Sequence, residues 1–179
     1  MISEGNPSVI QASPGILQFC GARIALLEIE SGYWSIRHQM DTMFGLRMSN
    51  AVLQQAGANA GASFAKPFSS EQADERSTGF QSYLQAYQEA GFGRFEIKLL
   101  EWPSGRSVIR AHDTFEAWMM LKHGQLLDEK EVCAYTTGVL TGFMIAISGR
   151  QDVVCLERHC QAQGADACEF DLIPVNQNQ

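Results

Sequence analysis

The stretch CLERHCQAQGADAC, residues 155–168, carries three of the chain's five cysteines, with Glu157 and His159 between them. A disulfide knot, a redox pair and a metal site are all open to it. Five is an odd count for a disulfide framework, and the opening MISEGNPSVIQ lacks the basic-then-apolar pattern of a secretory leader. A cytoplasmic, reducing setting follows, where clustered cysteines favour metal binding or catalysis over structural cross-links. Glu157 and Cys160 are three apart, Cys168 lies eight further on, and Cys133 opens an apolar segment upstream. Four such donors from two strands and a helix start can converge on one tetrahedral ion, the closed arrangement of structural zinc. The spacing leaves a second reading open, because free cysteine also packs as a small core hydrophobe. His159 competes with Glu157 for the fourth position and ranks below it.

The remainder must supply the frame. At 179 residues and 45% hydrophobic, the chain can bury a core as a single domain over residues 19–179, preceded by an arm at 1–18 in which Pro7 and Pro14 fall. The element order predicts an α+β fold, an antiparallel sheet packed against several helices. ARIALLEI (22–29) is strand-like, and residues 31–65 have helical spacing broken near Gly45. From Ser69 a helix of about 20 residues turns Phe80, Tyr83, Leu84 and Tyr87 to one face. RFEIKLLEW and RSVIRAH form a hairpin about the turn 103–105, with Phe95, Ile97 and Leu99 on one side. A helix over 114–124, a buried helix over 131–149 and two final strands complete the order.

Several functions are excluded or left without residues. A net charge of -7 with no run of Lys or Arg argues against direct nucleic-acid binding. No stretch reaches the roughly 20 apolar residues of a membrane span. GANAG (57–61) and GFG (91–93) read as packing and capping glycines, not as a dinucleotide fingerprint after a strand. Neither a Ser/His/Asp nor a Cys/His arrangement stands out, so catalysis is the weaker reading. Phe92, Phe95, Phe115, Trp118, Met119, Tyr135 and Phe143 gather on the central elements, as core packing or as the wall of a ligand pocket. Met40 and Phe44, exposed on the first helices, point to a homodimer.

The run GVLTGFMIAISGRQDVVCLERHCQAQGADACEFDL (138–172) resembles the C-terminal signature of the 4-vinyl reductase domain: glycines four apart on a helix, Gly-Arg, a strand, Glu-x-x-Cys, then Gly-x-x-x-Cys. FEAW (115–118) and GLRMSNAVLQQAGANAGASFA (45–65) resemble the sensor domains of bacterial activators that respond to phenols and alkylbenzenes. The resemblance implies the fold that this family shares with trafficking-complex subunits, and a zinc ion held by Cys133, Glu157, Cys160 and Cys168. One extra residue between Gly149 and Glu157 is a departure for a loop or bulge to absorb. The resemblance also implies a pocket for a small hydrophobic or aromatic ligand, walled by Phe92, Phe95 and Phe115. His112 stands where the phenol sensors place a hydrogen-bonding Trp, and Arg94, Phe95 and Glu96 offer no His on the strand before it. Ala117, Thr137 and Cys155 match further pocket positions, and with His112 they imply a ligand other than phenol. Activator relatives continue into an ATPase and a DNA-binding domain where this sequence closes on PVNQNQ, which implies action through an unidentified protein partner. Three roles follow: a stand-alone sensing or binding module, an accessory or carrier protein of tetrapyrrole (bacteriochlorophyll) biosynthesis, and a scaffold similar to the trafficking subunits.

Overall fold

The computed structural model describes residues 9–68, 73–102, 104–124 and 132–175. Its centre is a helix without a polar face. In α5 (Ala134–Ser148) buried residues run all round the axis, from Ala134 through Gly138, Leu140 and Phe143 to Ile147. A helix apolar on every side needs cover on every side. One side is met by a four-stranded antiparallel sheet of β4 (Arg94–Glu101), β5 (Arg106–His112), β6 (Val153–His159) and β7 (Cys168–Pro174), in the order β4-β5-β7-β6. The other is met by α2 (Leu46–Phe64).

Contact between α2 and α5 is backbone to backbone. Gly57 and Gly61 of α2 face the carbonyls of Tyr135 and Val139, while Gly138 and Gly142 of α5 face those of Gln54 and Ala58. Any Cβ at these four positions would lie well inside 3.0 Å of the opposing carbonyl. GANAG and GVLTG are therefore the two halves of one helix contact, consistent with the packing reading of GANAG.

α1 (Trp34–Phe44) meets α2 at Gly45, whose φ of 76° makes the break. A buried Arg37 ties the pair together, donating to Asp41 at 2.9 Å and to Asn50 at 2.6 Å. α3 (Ala73–Glu89) buries Phe80, Tyr83, Leu84 and Tyr87, as its periodicity predicts, with Tyr83 stacked on Phe143 at 3.7 Å. The capping residues expected at Ser69–Gln72 lie outside the described residues, as does Pro103 of the hairpin turn. α4 (Phe115–Lys122) follows β5, capped by Thr114, whose hydroxyl accepts from the N–H of Ala117.

Three local departures from the sequence expectation have physical causes. Residues inside the expected arm form β1 (Val9–Ser13) and β2 (Ile16–Phe19), which pair with β3 (Ala22–Ile24) in a second antiparallel sheet. Phe19 anchors that sheet edge-on against Phe64 at 4.9 Å. The strand expected over 22–29 ends at Ile24, because the Glu28 carboxylate accepts from the N–H of Ser31 (2.9 Å) and Gly32 (2.8 Å) and starts a helical turn at Ile29–Tyr33. A hydrogen bond from the Ser31 hydroxyl at 2.6 Å, followed by those from the Gly32 and Ser31 N–H groups, holds the Glu28 carboxyl down at about 2. In β4 a bulge between Ile97 and Leu99 shifts the alternation, so Leu100 packs on the core after Phe95 and Ile97.

Candidate metal centre and ligand cavity

Cys133, Glu157, Cys160 and Cys168 come together at the start of α5, their ligand atoms within 4.8 Å of one another and all four residues buried. Cys133 is the residue before α5, Glu157 points inward from β6, and Cys160 and Cys168 flank the loop joining β6 to β7. A bulge between Glu157 and His159 leaves His159 in solvent, which removes it from the site. The three sulfurs are 3.9, 3.9 and 3.7 Å apart. A tetrahedron built with ~2.3 Å metal–thiolate bonds has edges of about 3.8 Å, so the sulfurs already define one of its faces. Glu157 Oε2 accepts from the N–H of Val132 at 2.6 Å and of Cys133 at 3.0 Å. Its Oε1 is buried without a hydrogen-bond partner among the described residues, an atom that needs a cation or a donor.

Electrostatics agree with that geometry. Hydrogen bonds from the Cys133 and Cys160 thiols hold Cys168 down at about 3, while burial pushes Cys133 well up. A cation enters such a cluster by displacing thiol protons. Thr114 Oγ1 lies 3.2 Å from the Cys133 sulfur and 3.7 Å from that of Cys168, and the Gln161 N–H donates to Cys168 at 3.5 Å. Such contacts fix the sulfur lone pairs.

A second buried carboxylate completes the helix start. Glu116, from the middle of FEAW, accepts from the N–H of Tyr135 and of Thr136, each at 2.9 Å. Burial lifts its carboxyl to about 7. Spacing alone does not mark Glu116; the available signal is an acidic side chain among the apolar residues of α4, which must find donors once buried. Glu116→Ala leaves two buried N–H groups unpaired, with an expected cost of about 1–3 kcal/mol, read from urea unfolding; Glu116→Gln recovers part of it.

An apolar cavity of about 400 Å³ lies beyond this helix start. Phe19 and Phe64 wall one side, Phe92 and Phe115 another, and the segment from Ala25 to Tyr33 closes it, with Tyr135 reaching in from α5. Leu26, 80% exposed, marks the side open to solvent.

The seven residues expected at the pocket separate. Phe92 and Phe115 line the cavity, their rings 5.7 Å apart. Phe95 packs on Tyr87 at 5.3 Å and faces a shallow hollow beside α3 instead. His112 is on the opposite face of β5 from the buried Ala111, because side chains alternate along a strand, and so does not reach the cavity. Ala117 is packed solid in the core and does not line the cavity. Thr137 and Cys155 lie along a separate surface groove between α2, α5 and β6, where the Thr137 hydroxyl donates to the carbonyl of Cys133 at 2.8 Å. Phe19, Tyr33 and Tyr135 take their places in the cavity wall. The strand-like run 22–29 hides that role, because the turn at Glu28 cannot be read from its hydropathy.

Residues 126–174 match the 4-vinyl reductase domain family. The match contains all four candidate metal ligands and bears out the resemblance read from the sequence. Among curated proteins, none matches the chain. Among solved structures, the phenol-responsive sensory domain of the transcription activator PoxR with phenol is similar over 95% of this chain and 86% of its own, at 19% identity and a TM-score of 0.79. A vinyl-4-reductase family protein from Methanocaldococcus jannaschii is similar over 80% of this chain and 77% of its own (18% identity, TM-score 0.50). A trafficking protein particle complex subunit 3 from Naegleria fowleri, covalently bound to palmitic acid, is similar over 80% and 91% (16% identity, TM-score 0.53). At these identities the likeness is one of fold, and the expected α+β architecture is the observed one.

Proposed function

We propose that this chain is a cytoplasmic small-molecule sensing domain, with its ligand in the aromatic cavity and a zinc ion at Cys133, Glu157, Cys160 and Cys168. The observation that carries this reading is the cavity itself: about 400 Å³, predominantly apolar, within the size range of small-molecule sites. Support comes from the fold shared with the PoxR domain, whose structure contains phenol. No helix among the described residues is long and apolar enough to cross a membrane.

Zinc has a structural part. Three thiolates and one carboxylate oxygen fill a tetrahedron and leave no place for water or substrate, so the ion ties the start of α5 to β6 and β7. Chain residues then set the cavity wall: Tyr135 lies two positions beyond Cys133, and Glu116 fixes the backbone on which it rides.

Ligand occupancy must be passed to a protein partner. The surface for this is the α1–α2 pair, where Ile36, Met43, Phe44, Met48 and Val52 are exposed, and a homodimer forms across it. Phe44→Glu is expected to turn a dimer into a monomer by light scattering at tens of micromolar; a Phe44→Glu protein that stays dimeric removes this face from the interface.

Native mass spectrometry of the chain purified without chelator tests the main reading. One zinc ion and a non-covalent small hydrophobic molecule are expected, and Ala90→Trp, which fills the cavity, abolishes the second mass while keeping the first. A bound mass that Ala90→Trp leaves in place refutes the cavity as the ligand site, and a tetrapyrrole absorption band turns the role toward a carrier.

A further inference from the structure

The wall of the cavity is uneven. Phe19, Phe64 and Phe115 are buried and back it with the core. Two stretches are thin, because residues that line the cavity are there also exposed to solvent: Leu26 and Leu27, 80% and 55% exposed, and Gly91. They differ in how they are held. The turn at Ala90 and Gly91 is pinned to the end of α3, with the N–H groups of Ala90, Gly91 and Phe92 donating to the carbonyls of Ala86, Gln88 and Tyr87. Ala25, Leu26 and Leu27 belong to no helix or strand, and all three are exposed. A stretch with few buried contacts and no ladder opens at low free-energy cost, so the route into the cavity runs past Leu26 and Leu27.

Beyond Leu27 the chain is fastened. The Glu28 carboxylate organises the turn Ile29–Tyr33, and α4 then ties that turn down from a distant part of the sequence. His123 Nε2 lies 2.8 Å from the carbonyl of Glu30. A carbonyl only accepts, so the imidazole N–H is the donor. The same ring stacks on Trp34 at 4.1 Å, 6° from parallel. Lys122 also reaches the Glu30 carboxylate at 3.1 Å, but an exposed ion pair adds little.

The post to which the turn is tied does not move with it. Ala117, Met119 and Met120 of α4 are fully buried, and Glu116 is bonded to the start of α5. One imidazole therefore makes both strong contacts between a loosely held wall and a firmly held helix. Trp34 is the first residue of α1, so the tie also reaches the helix pair that carries the exposed apolar face.

Resting on the sensing function above, we infer that residues 25–33 form the gate of the cavity and that His123 is the latch that holds this gate against α4. Neither His123 nor Trp34 lines the cavity, so the latch acts on the gate whether or not a ligand is inside. Its loss raises the open fraction of the free and the occupied protein alike, which speeds entry and exit together and leaves affinity unchanged. A residue that merely supported the bound state would change exit and affinity together and leave entry alone. His38 supplies the control. Its ring also stacks on Trp34, at 5.3 Å, but from within α1, and so it ties the indole to its own helix.

Stopped-flow fluorescence with N-phenyl-1-naphthylamine, a neutral probe that brightens in apolar surroundings, tests the latch in the full chain and in its His123→Ala, His38→Ala and Ala90→Trp variants. Thermal unfolding confirms that each variant is folded; His123 and His38 are both exposed, so their removal leaves the core intact. His123→Ala is expected to raise the association and dissociation rate constants each by about tenfold, the equivalent of about 1.4 kcal/mol, with Kd unchanged within twofold. His38→Ala is expected to behave as the parent, and Ala90→Trp to abolish binding. Rates that His123→Ala leaves unchanged, a rise in dissociation alone with Kd weakened in proportion, or an equal effect of His38→Ala overturns the latch and leaves the cavity standing. A probe that the parent does not bind, or that Ala90→Trp still binds as the parent does, overturns the cavity reading and the gate together.

Discussion

Cys168→Ser is expected to abolish zinc binding at the proposed site and to lower the melting temperature by roughly 6–20 °C. The expectation follows from what the substitution leaves behind. The Cys168 sulfur lies 3.9 Å from that of Cys133 and 3.7 Å from that of Cys160, and it also accepts from the Gln161 N–H. A serine hydroxyl in its place is a poor zinc ligand, and two thiols and a carboxylate do not close a tetrahedron. Without the ion, Glu157 Oε1 stays buried and unpaired, and α5 loses its tie to β6 and β7. Removing one partner from a buried charged cluster costs about 3–5 kcal/mol, and each kcal/mol is worth about 2–4 °C in a chain of this size. Elemental analysis and thermal unfolding read the two effects separately. Stoichiometric zinc in Cys168→Ser, or an unchanged melting temperature with the zinc gone, would reject a structural role for this site. A strong chelator added to the parent should reproduce the variant's melting temperature, because it removes the same tie.

The cluster of Cys133, Glu157, Cys160 and Cys168 is the part of this molecule that the sequence made most legible, and the reason is chemical. Few side chains bind soft cations, so three cysteines and a glutamate near the start of an apolar helix leave few arrangements to consider. Even the preference for Glu157 over His159 is consistent with the structure, although its mechanism, a bulge that turns His159 outward, has no spelling in the residues. The α1–α2 break at Gly45 and the buried face of α3 were legible for a different reason: glycine and helical periodicity report on backbone geometry directly. The cavity was only half legible. Phe92 and Phe115 reach it, but His112, Ala117, Thr137 and Cys155 were placed by correspondence with relatives, and position in a motif does not fix which way a side chain points. For His112 the contrary signal was present, since Ser107, Ile109 and Ala111 alternate with Val108, Arg110 and His112, and the smaller and more apolar set belongs to the core. For Tyr33 no local signal existed. Its place depends on Glu28 ending a strand-like run, and on His123 of the α4 end arriving from 93 residues away to hold Glu30.

Gly142→Ala should destabilise the chain by roughly 3 kcal/mol or more, against the ordinary sign of that substitution. Within a helix, alanine normally gains about 0.5–1 kcal/mol over glycine, because glycine loses more backbone freedom on folding. Here the added methyl would be driven into the backbone carbonyl of Ala58, and a main-chain atom of a neighbouring helix cannot swing aside as a side chain can. One helix must move. α5 is held at its start by the carboxylates of Glu116 and Glu157 and by the buried contacts of Cys133 with Cys160 and Cys168, and along its length by the sheet. α2, whose start at Gly45 carries no side-chain cap, is the helix expected to give way, which opens the contacts that Gly57, Gly61 and Gly138 make along the same seam. Overpacking of a tight interface costs about 1–3 kcal/mol, and the shared seam adds to it. Because α5 keeps its place over β6 and β7, the variant should still carry about one zinc per chain. Urea unfolding together with metal analysis therefore tells this variant from Cys168→Ser, which loses both stability and ion. A Gly142→Ala protein as stable as the parent would mean that α2 and α5 do not approach backbone to backbone, and one that loses its zinc would mean that α5, not α2, is the helix that yields.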